Sequence, residues 1–379
     1  MEKRIYSNAV VTPEGMVAAE VVIRDGAIAA VDERTGPSAA ALDWSGDMLI
    51  PGLIDIHTDN LEKHYQPRPG ALWDAYGAAL AHDGQCAAAG ITTVLDSLSL
   101  HGRKDGLDRK AALGPMIGAM DAARAEGALR AEHLLHLRCE VTNPELLSLL
   151  EPHADHPRLK LLSVMDHTPG QRQTADVGAL QARMAAAGKS EDEIQEMLVR
   201  RHAGRDPTVA ESNRRSVVAF AREYGVPLCA HDDATIEHVD EAHADGCVIA
   251  EFPVTLDAAR KARDYGMAIC MGGPNLVRGG SHSGNLSARL CAEEDLLDIL
   301  ASDYVPLSML RSAFLLMDLY GWPAEKAVST VSAGPARALG LSDRGEIAPG
   351  QRADLVRVRR PPGGWPAPRE VWREGLRVA

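Results

Sequence analysis

Residues 50–64 read IPGLIDIHTDNLEKH, an apolar run that breaks into His57, Asp59, Asn60, Glu62, Lys63 and His64. In an extended strand residues i and i+2 point the same way, so the His57 imidazole and the Asp59 carboxylate can aim at one metal ion. The pattern recurs along the chain: HLLHLRCEVT ends an apolar run at Glu140, LKLLSVMDHTPG at His167, GVPLCAHDDAT at His231 and LLDILASDYVP at Asp303. Imidazole nitrogens and carboxylate oxygens are the ligands of hydrolytic zinc, manganese and iron sites, and a carboxylate can bridge two ions. These residues therefore predict one or two divalent ions. The competing reading makes each polar residue the cap of the following helix, a role that suits Asp better than His. Asp232 or Asp233, just ahead of ATIEHVDEA, fits it.

A second group of residues suits anions. The stretch NLVRGGSHSGN, residues 275–285, is Gly-rich and carries Arg278, Ser281, His282, Ser283 and Asn285. Loops of this composition cradle phosphates with backbone N–H groups and charged donors, although the plain alternative is a surface Gly-Ser turn. Lys63, His64 and Arg68 after the first run, and Gln171, Arg172 and Gln173 after His167, are further anion donors or else solvated side chains. His101 is expected to face the pocket, His133, His136, His153 and His156 to serve structure, and Met165 and Met271 to fill the core.

Something must hold those run ends on one face. Apolar strand-like runs occupy 50–56, 91–96, 133–140, 159–166, 226–231, 247–252, 267–272 and 298–303, with Ala- and Glu-rich segments of helical periodicity between several of them. Eight strands alternating with helices match a (β/α)₈ barrel, whose chemistry sits at the strand C-terminal ends; a doubly wound sheet gives the same alternation. Residues 1–48 and 341–379 read instead as short β runs, with an Asp25-Gly26 hairpin signal and a Gly-Pro interruption at 361–368. The expected organisation is a β-sandwich subdomain built from both ends, 1–48 plus 341–379, and a barrel over 49–340.

Composition narrows the partners. With 40 basic and 53 acidic residues the formal charge is −13, which disfavours a general nucleic-acid or membrane-surface binder. Six widely spaced cysteines, mostly in apolar runs and without a Cys-x-x-Cys pair, read as reduced core residues of a cytoplasmic protein. No signal-peptide-like stretch and no run of eighteen apolar residues is present, so neither export nor membrane spanning is expected. A homo-oligomer is compatible with this composition but is not specified by it.

MLIPGLIDIHTD, the paired β ends and GEIAPGQRADLVRV together resemble the amidohydrolase superfamily, metal-dependent hydrolases on a (β/α)₈ barrel with a β-sandwich from both termini. Within it, HTDNLEKH, LRCEVT, MDHTPGQRQ, AHDD, AEFPVT, GGPNLVRGGSHSGN and ASDYVP resemble, in order, the α-D-ribose 1-methylphosphonate 5-triphosphate diphosphatase family of the carbon–phosphorus lyase pathway. The resemblance implies His57 and Asp59 as ligands of one metal, Glu140 as a bridge, His167 and His231 as ligands of a second, and Asp303 as an acid/base residue that also touches metal. It also implies an anionic phosphorylated small-molecule substrate. Two features depart from the broader superfamily. The usual His-x-His is His-x-Asp here, and His167 and His231 follow the fourth and fifth runs instead of the fifth and sixth, unless a further strand lies near 207–210. The alternative within the superfamily is C–N hydrolysis by a cyclic amidase or adenine deaminase; against it, aromatic residues make up only 4% of the chain, too few for a base-stacking pocket. A non-catalytic scaffold would have lost a ligand or Asp303, and none is lost.

Overall fold

The computed structural model describes residues 2–104, 106–172, 177–186, 188–203, 205–281 and 283–379. Its principal sheet contains eight strands in sequence order: Leu53–Thr58, Ile91–Ser99, Glu132–Glu140, Leu159–Met165, Leu228–His231, Ile249–Glu251, Ala268–Gly272 and Ile299–Ala301. Neighbours pair in parallel, as in Ala230↔Ala250. Asp303 N donates to His57 O at 2.9 Å and Asp59 N donates to Asp303 O at 2.8 Å, so the segment after the eighth strand returns beside the first. This is a (β/α)₈ barrel, and all eight expected runs supply a strand.

The expected first run, 50–56, is divided. Met48–Pro51 pairs with Leu355–Arg359 in the terminal sheet, and the barrel strand begins only at Leu53. Gly52 makes the transition possible, because a Cβ there would lie 2.2 Å from Thr92 Oγ1. No ninth strand lies near 207–210. Those residues open the helix Pro207–Tyr224, whose Asp206 accepts from the backbone N–H groups of Thr208 and Val209, with Pro207 placed where a missing N–H costs nothing. His167 and His231 therefore do follow the fourth and fifth strands.

The two ends of the chain pair in one mixed sheet ordered Leu376–Arg377, Ala367–Arg373, Leu355–Arg359, Met48–Pro51, Lys3–Thr12, Gly15–Arg24 and Ala27–Glu33, with Leu42–Asp43 beside Lys3–Thr12. Asp25 and Gly26 both adopt positive φ, at 48° and 82°, as a two-residue hairpin turn requires. Ile5, Val21, Ile23, Leu49, Leu355 and Trp372 bury one face of this sheet. Polar ties add to the apolar packing: Arg357 and Arg359 converge on buried Asp47, while Arg344 and Arg352 both donate to Glu132 and to Thr93 Oγ1.

The chain divides into two compact units. One comprises Met1–Asp96, Pro115–Leu134 and Asp298–Ala379, the other Ser97–Gly114 and Leu135–Leu297. All six cysteines are free and buried, Met165 and Met271 lie in the core, and among the described residues no helix is long and apolar enough to cross a membrane.

Within the first unit lies a fully buried polar network. Asp96 Oδ1 sits 2.9 Å from His82 Nε2 and 3.1 Å from His133 Nδ1, and His133 Nε2 faces Asp83 Oδ1 at 3.4 Å. Asp83 in turn accepts from the backbone of Arg130 and Ala131. Burial alone would lower the pKa of His133, but the carboxylates of Asp96 and Asp83 overcome it and raise the value to about 9. A folded value above the unfolded one, near 6.5, gives a stabilisation complete below that pH and lost as pH rises through about 9. The melting temperature should accordingly fall between roughly pH 6.5 and 9, and His133→Gln should flatten that limb at some cost in stability at lower pH. Thermal melts across this range test it; an equally steep limb in the variant would refute the assignment.

Candidate metal centre

His57, Asp59 and Asp303 form the first cluster, with one ligand atom from each inside a mutual separation of 4.8 Å. His57 Nε2 lies 3.7 Å from Asp59 Oδ1. The strand alternation that brings His57 and Asp59 to one side also brings Asp55, whose Oδ1 accepts from the backbone N–H groups of His57 and Ser302. Asp55 thereby binds the first strand to the segment carrying Asp303. Burial pushes its pKa up to about 6, against the pull of those hydrogen bonds. Asp303 itself is held at φ +53°, a left-handed backbone that costs a non-glycine residue energy. Lys63 is exposed beside the cluster: its Nζ lies 3.2 Å from Tyr304 O and 3.3 Å from Asn60 Oδ1. His64 pairs with Gln85.

The second cluster is His167, His231 and Asp232. Each imidazole is oriented by a carboxylate on Nδ1: Glu140 Oε2 lies 2.6 Å from His167 Nδ1, and Glu251 Oε2 lies 2.6 Å from His231 Nδ1. The opposite nitrogens face Asp232 Oδ2, at 3.8 Å from His167 Nε2 and 3.0 Å from His231 Nε2. Glu140 is nearly enclosed and also accepts from Thr142 Oγ1 and His167 N. Burial would raise its pKa, yet the His167 charge and hydrogen bond, with His101 acting through space, bring it down to about 2. His231 is shifted upward, since Asp232 and Glu251 outweigh the burial that opposes its charge. Arg138 Nη2 approaches His231 Nε2 to 3.5 Å.

Several expectations change here. Neither Asp232 nor Asp233 caps the following helix; Thr235 does, accepting from His238 N. Arg172 is not laid out for an incoming anion. It is buried at φ +36° and its guanidinium pairs with Asp233 and with Glu241, whose carboxylate also receives Arg214. Residues 275–285 are not a loop throughout, because Gly273–Arg278 is a helix closed by left-handed Gly279. Asn275 pins the chain beyond this helix, donating to Leu286 O and accepting from Ala288 N. Arg278 is exposed, Ser281 and Asn285 are half-buried, and Ser281 Oγ accepts from Ser283 N. His282 and Gln173 lie outside the described residues. Sequence reasoning passed over Glu251, although AEFPVT ends an apolar run on a carboxylate just as LRCEVT does at Glu140.

The fold is a (β/α)₈ barrel whose strand ends carry groups of His and Asp able to hold a metal ion. The chain belongs to the amidohydrolase family, whose profile matches residues 48–374. It is 41% identical over 365 residues, 96% of both chains, to the α-D-ribose 1-methylphosphonate 5-triphosphate diphosphatase of Escherichia coli. A shorter match, 30% identical over 96 residues, is to a D-hydantoinase of Rhizobium radiobacter, covering 25% of this chain and 20% of that one. Among solved structures, N-acetyl-D-glucosamine-6-phosphate deacetylase from Mycobacterium smegmatis shares the fold with a TM-score of 0.63 at 16% identity, over 100% of both chains.

Because Arg172 neutralises carboxylates inside the protein, its removal should act on stability. Arg172→Ala leaves Asp233 buried without its cation and should cost about 3–5 kcal/mol. Denaturant unfolding of the purified variant measures this; an unchanged midpoint would show that the pairing contributes nothing.

Proposed function

We propose that this chain hydrolyses α-D-ribose 1-methylphosphonate 5-triphosphate to the 5-phosphate and diphosphate, in phosphonate catabolism. The observation that carries the proposal is the 41% identity over 96% of both chains with the Escherichia coli enzyme of that name. In this reading the metal-holding set is His57, Asp59 and Asp303 in the first cluster and His167 and His231 in the second, with Glu140 beside them. The donor chemistry fits: nitrogen and carboxylate oxygen, with imidazoles already fixed by outer carboxylates, suits zinc, manganese or iron. Divalent ions held there would supply positive charge for the phosphates and a water nucleophile active at neutral pH.

The protein's own groups do the rest. A carboxylate oxygen of Asp303 takes a proton from the attacking water as its oxygen bonds to phosphorus. The α–β phosphoanhydride bond breaks, and diphosphate leaves with the bonding electrons. In this reading Lys63, which donates to Tyr304 O beside Asp303, meets phosphate oxygens as the charge shifts. Arg278, exposed at the end of its helix, offers the planar fork suited to phosphate, and Ser281 and Asn285 lie on the segment after it. Neutral donors alone would be a poor match for a polyanion entering a protein of net charge −13. We assign the reaction to the cytoplasm, where six buried thiols remain reduced.

The direct test is release of diphosphate from the ribose triphosphate by the metal-loaded protein, with nucleoside triphosphates and cyclic amides as competitors for the assignment; preferential opening of a cyclic amide would replace it. Asp303→Asn keeps the side-chain shape and tolerates the left-handed backbone while removing the base. It should lower turnover by about 10² to 10⁴ with metal content largely retained. Arg278→Ala should lower kcat/KM by roughly 10- to 100-fold, the worth of one charge-assisted hydrogen bond. Steady-state kinetics with parallel metal analysis separates these effects, and full activity in either variant would transfer its role to another group.

A further inference from the structure

We infer that Asp232 is a metal ligand, completing with His167 and His231 a three-residue site for a divalent cation. This rests on the metal-dependent function proposed for the chain and adds to it a residue that the resemblance does not include. Three observations meet at one atom. Asp232 Oδ2 is buried, and it faces the Nε2 atoms of both imidazoles, at 3.0 Å for His231 and 3.8 Å for His167. Each imidazole commits its Nδ1–H to a carboxylate, Glu251 for one and Glu140 for the other. One ligand atom from each of the three residues lies within 4.8 Å of the other two, close enough for one ion to touch all three.

Two imidazole nitrogens and a carboxylate oxygen gathered at this spacing suit a cation. The Nδ1 carboxylates are the outer partners that ligating histidines use to fix their orientation. Two nitrogens and one oxygen from the protein leave a coordination position open, the pattern of catalytic zinc sites.

The backbone supports the same conclusion. Asp232 sits at φ +60°, a conformation that disfavours most side chains. No capping role explains it, since Thr235 caps the next helix. Asp232 N donates to Glu251 O at 2.9 Å, so the carboxylate is swung toward the imidazoles by the residue that also orients His231.

The experiment uses chelator-treated full-length protein titrated with Zn²⁺ or Mn²⁺ alone, followed by calorimetry, metal analysis after dialysis, and thermal melting. Asp232→Asn should lose one bound equivalent or weaken its binding at least 10-fold. Its melting gain on adding metal should be smaller than that of the wild type. Asp232→Gly, suited to the same backbone, guards against an Asn carbonyl standing in as a ligand and against misfolding of the first variant. Unchanged stoichiometry and affinity in both variants would overturn the inference while leaving the functional reading intact. Wild-type protein that binds divalent ions but releases no diphosphate would overturn that reading alone. Wild-type protein that binds no divalent ion would overturn both.

Discussion

The return of the chain beside its first barrel strand is the constraint on which the first cluster depends. Asp303 exchanges backbone hydrogen bonds with His57 and with Asp59, just past the strand's end, and Asp55 reinforces the seam by binding Ser302 N. Asp303 bridges to Thr58 from the far end of the barrel sequence, and is thereby set at the side of two prospective ligands. The left-handed backbone at Asp303 is tolerated because the hydrogen bonds on both sides of it leave no freedom to relax. Strain placed here serves orientation, since a relaxed φ would redirect the carboxylate.

The second cluster is governed by the pairing of carboxylates with imidazoles. Glu140 and Glu251 each occupy one ring nitrogen and so decide which nitrogen remains for a ligand. Glu140 stays ionised despite enclosure because His167 and Thr142 lie within hydrogen-bonding distance, which outweighs desolvation. The same balance operates in the buried His82–Asp96–His133–Asp83 network, where the carboxylates hold a proton on His133. Site and scaffold thus use the same residue types. What separates them is geometry: in the network Asp96 lies between two fully buried imidazoles, whereas Asp232 Oδ2 faces His231 and the part-exposed His167.

Arginines divide in a similar way. Arg172, Arg344 and Arg352 are spent on internal carboxylates, which binds elements together at the expense of any role toward ligand. Arg278 and Lys63 remain near the surface, where a phosphorylated substrate can reach them. A negatively charged protein that takes an anionic substrate needs this separation, because buried cations already neutralised by Asp or Glu contribute little attraction to an incoming phosphate.

The amino-acid sequence by itself determined the barrel strands, their order and the residues at their ends. Each strand buried on both faces is an apolar run, and each run that ends in His, Asp or Glu marks a position where burial stops; this information is local and periodic. His57, Asp59, Glu140, His167, His231 and Asp303 were legible for that reason. The tertiary structure decided matters that depend on groups remote in sequence. Arg172 looks like any loop arginine until Asp233 and Glu241 surround it, and Gly52 looks like an ordinary strand residue until Thr92 fills the space a side chain would need. Asp232 reads as a helix cap until Thr235 takes that role and two imidazoles turn toward its carboxylate. Side-chain type follows from local sequence, but whether a charge is neutralised, oriented or left for a cation depends on partners that only folding brings within a few ångströms.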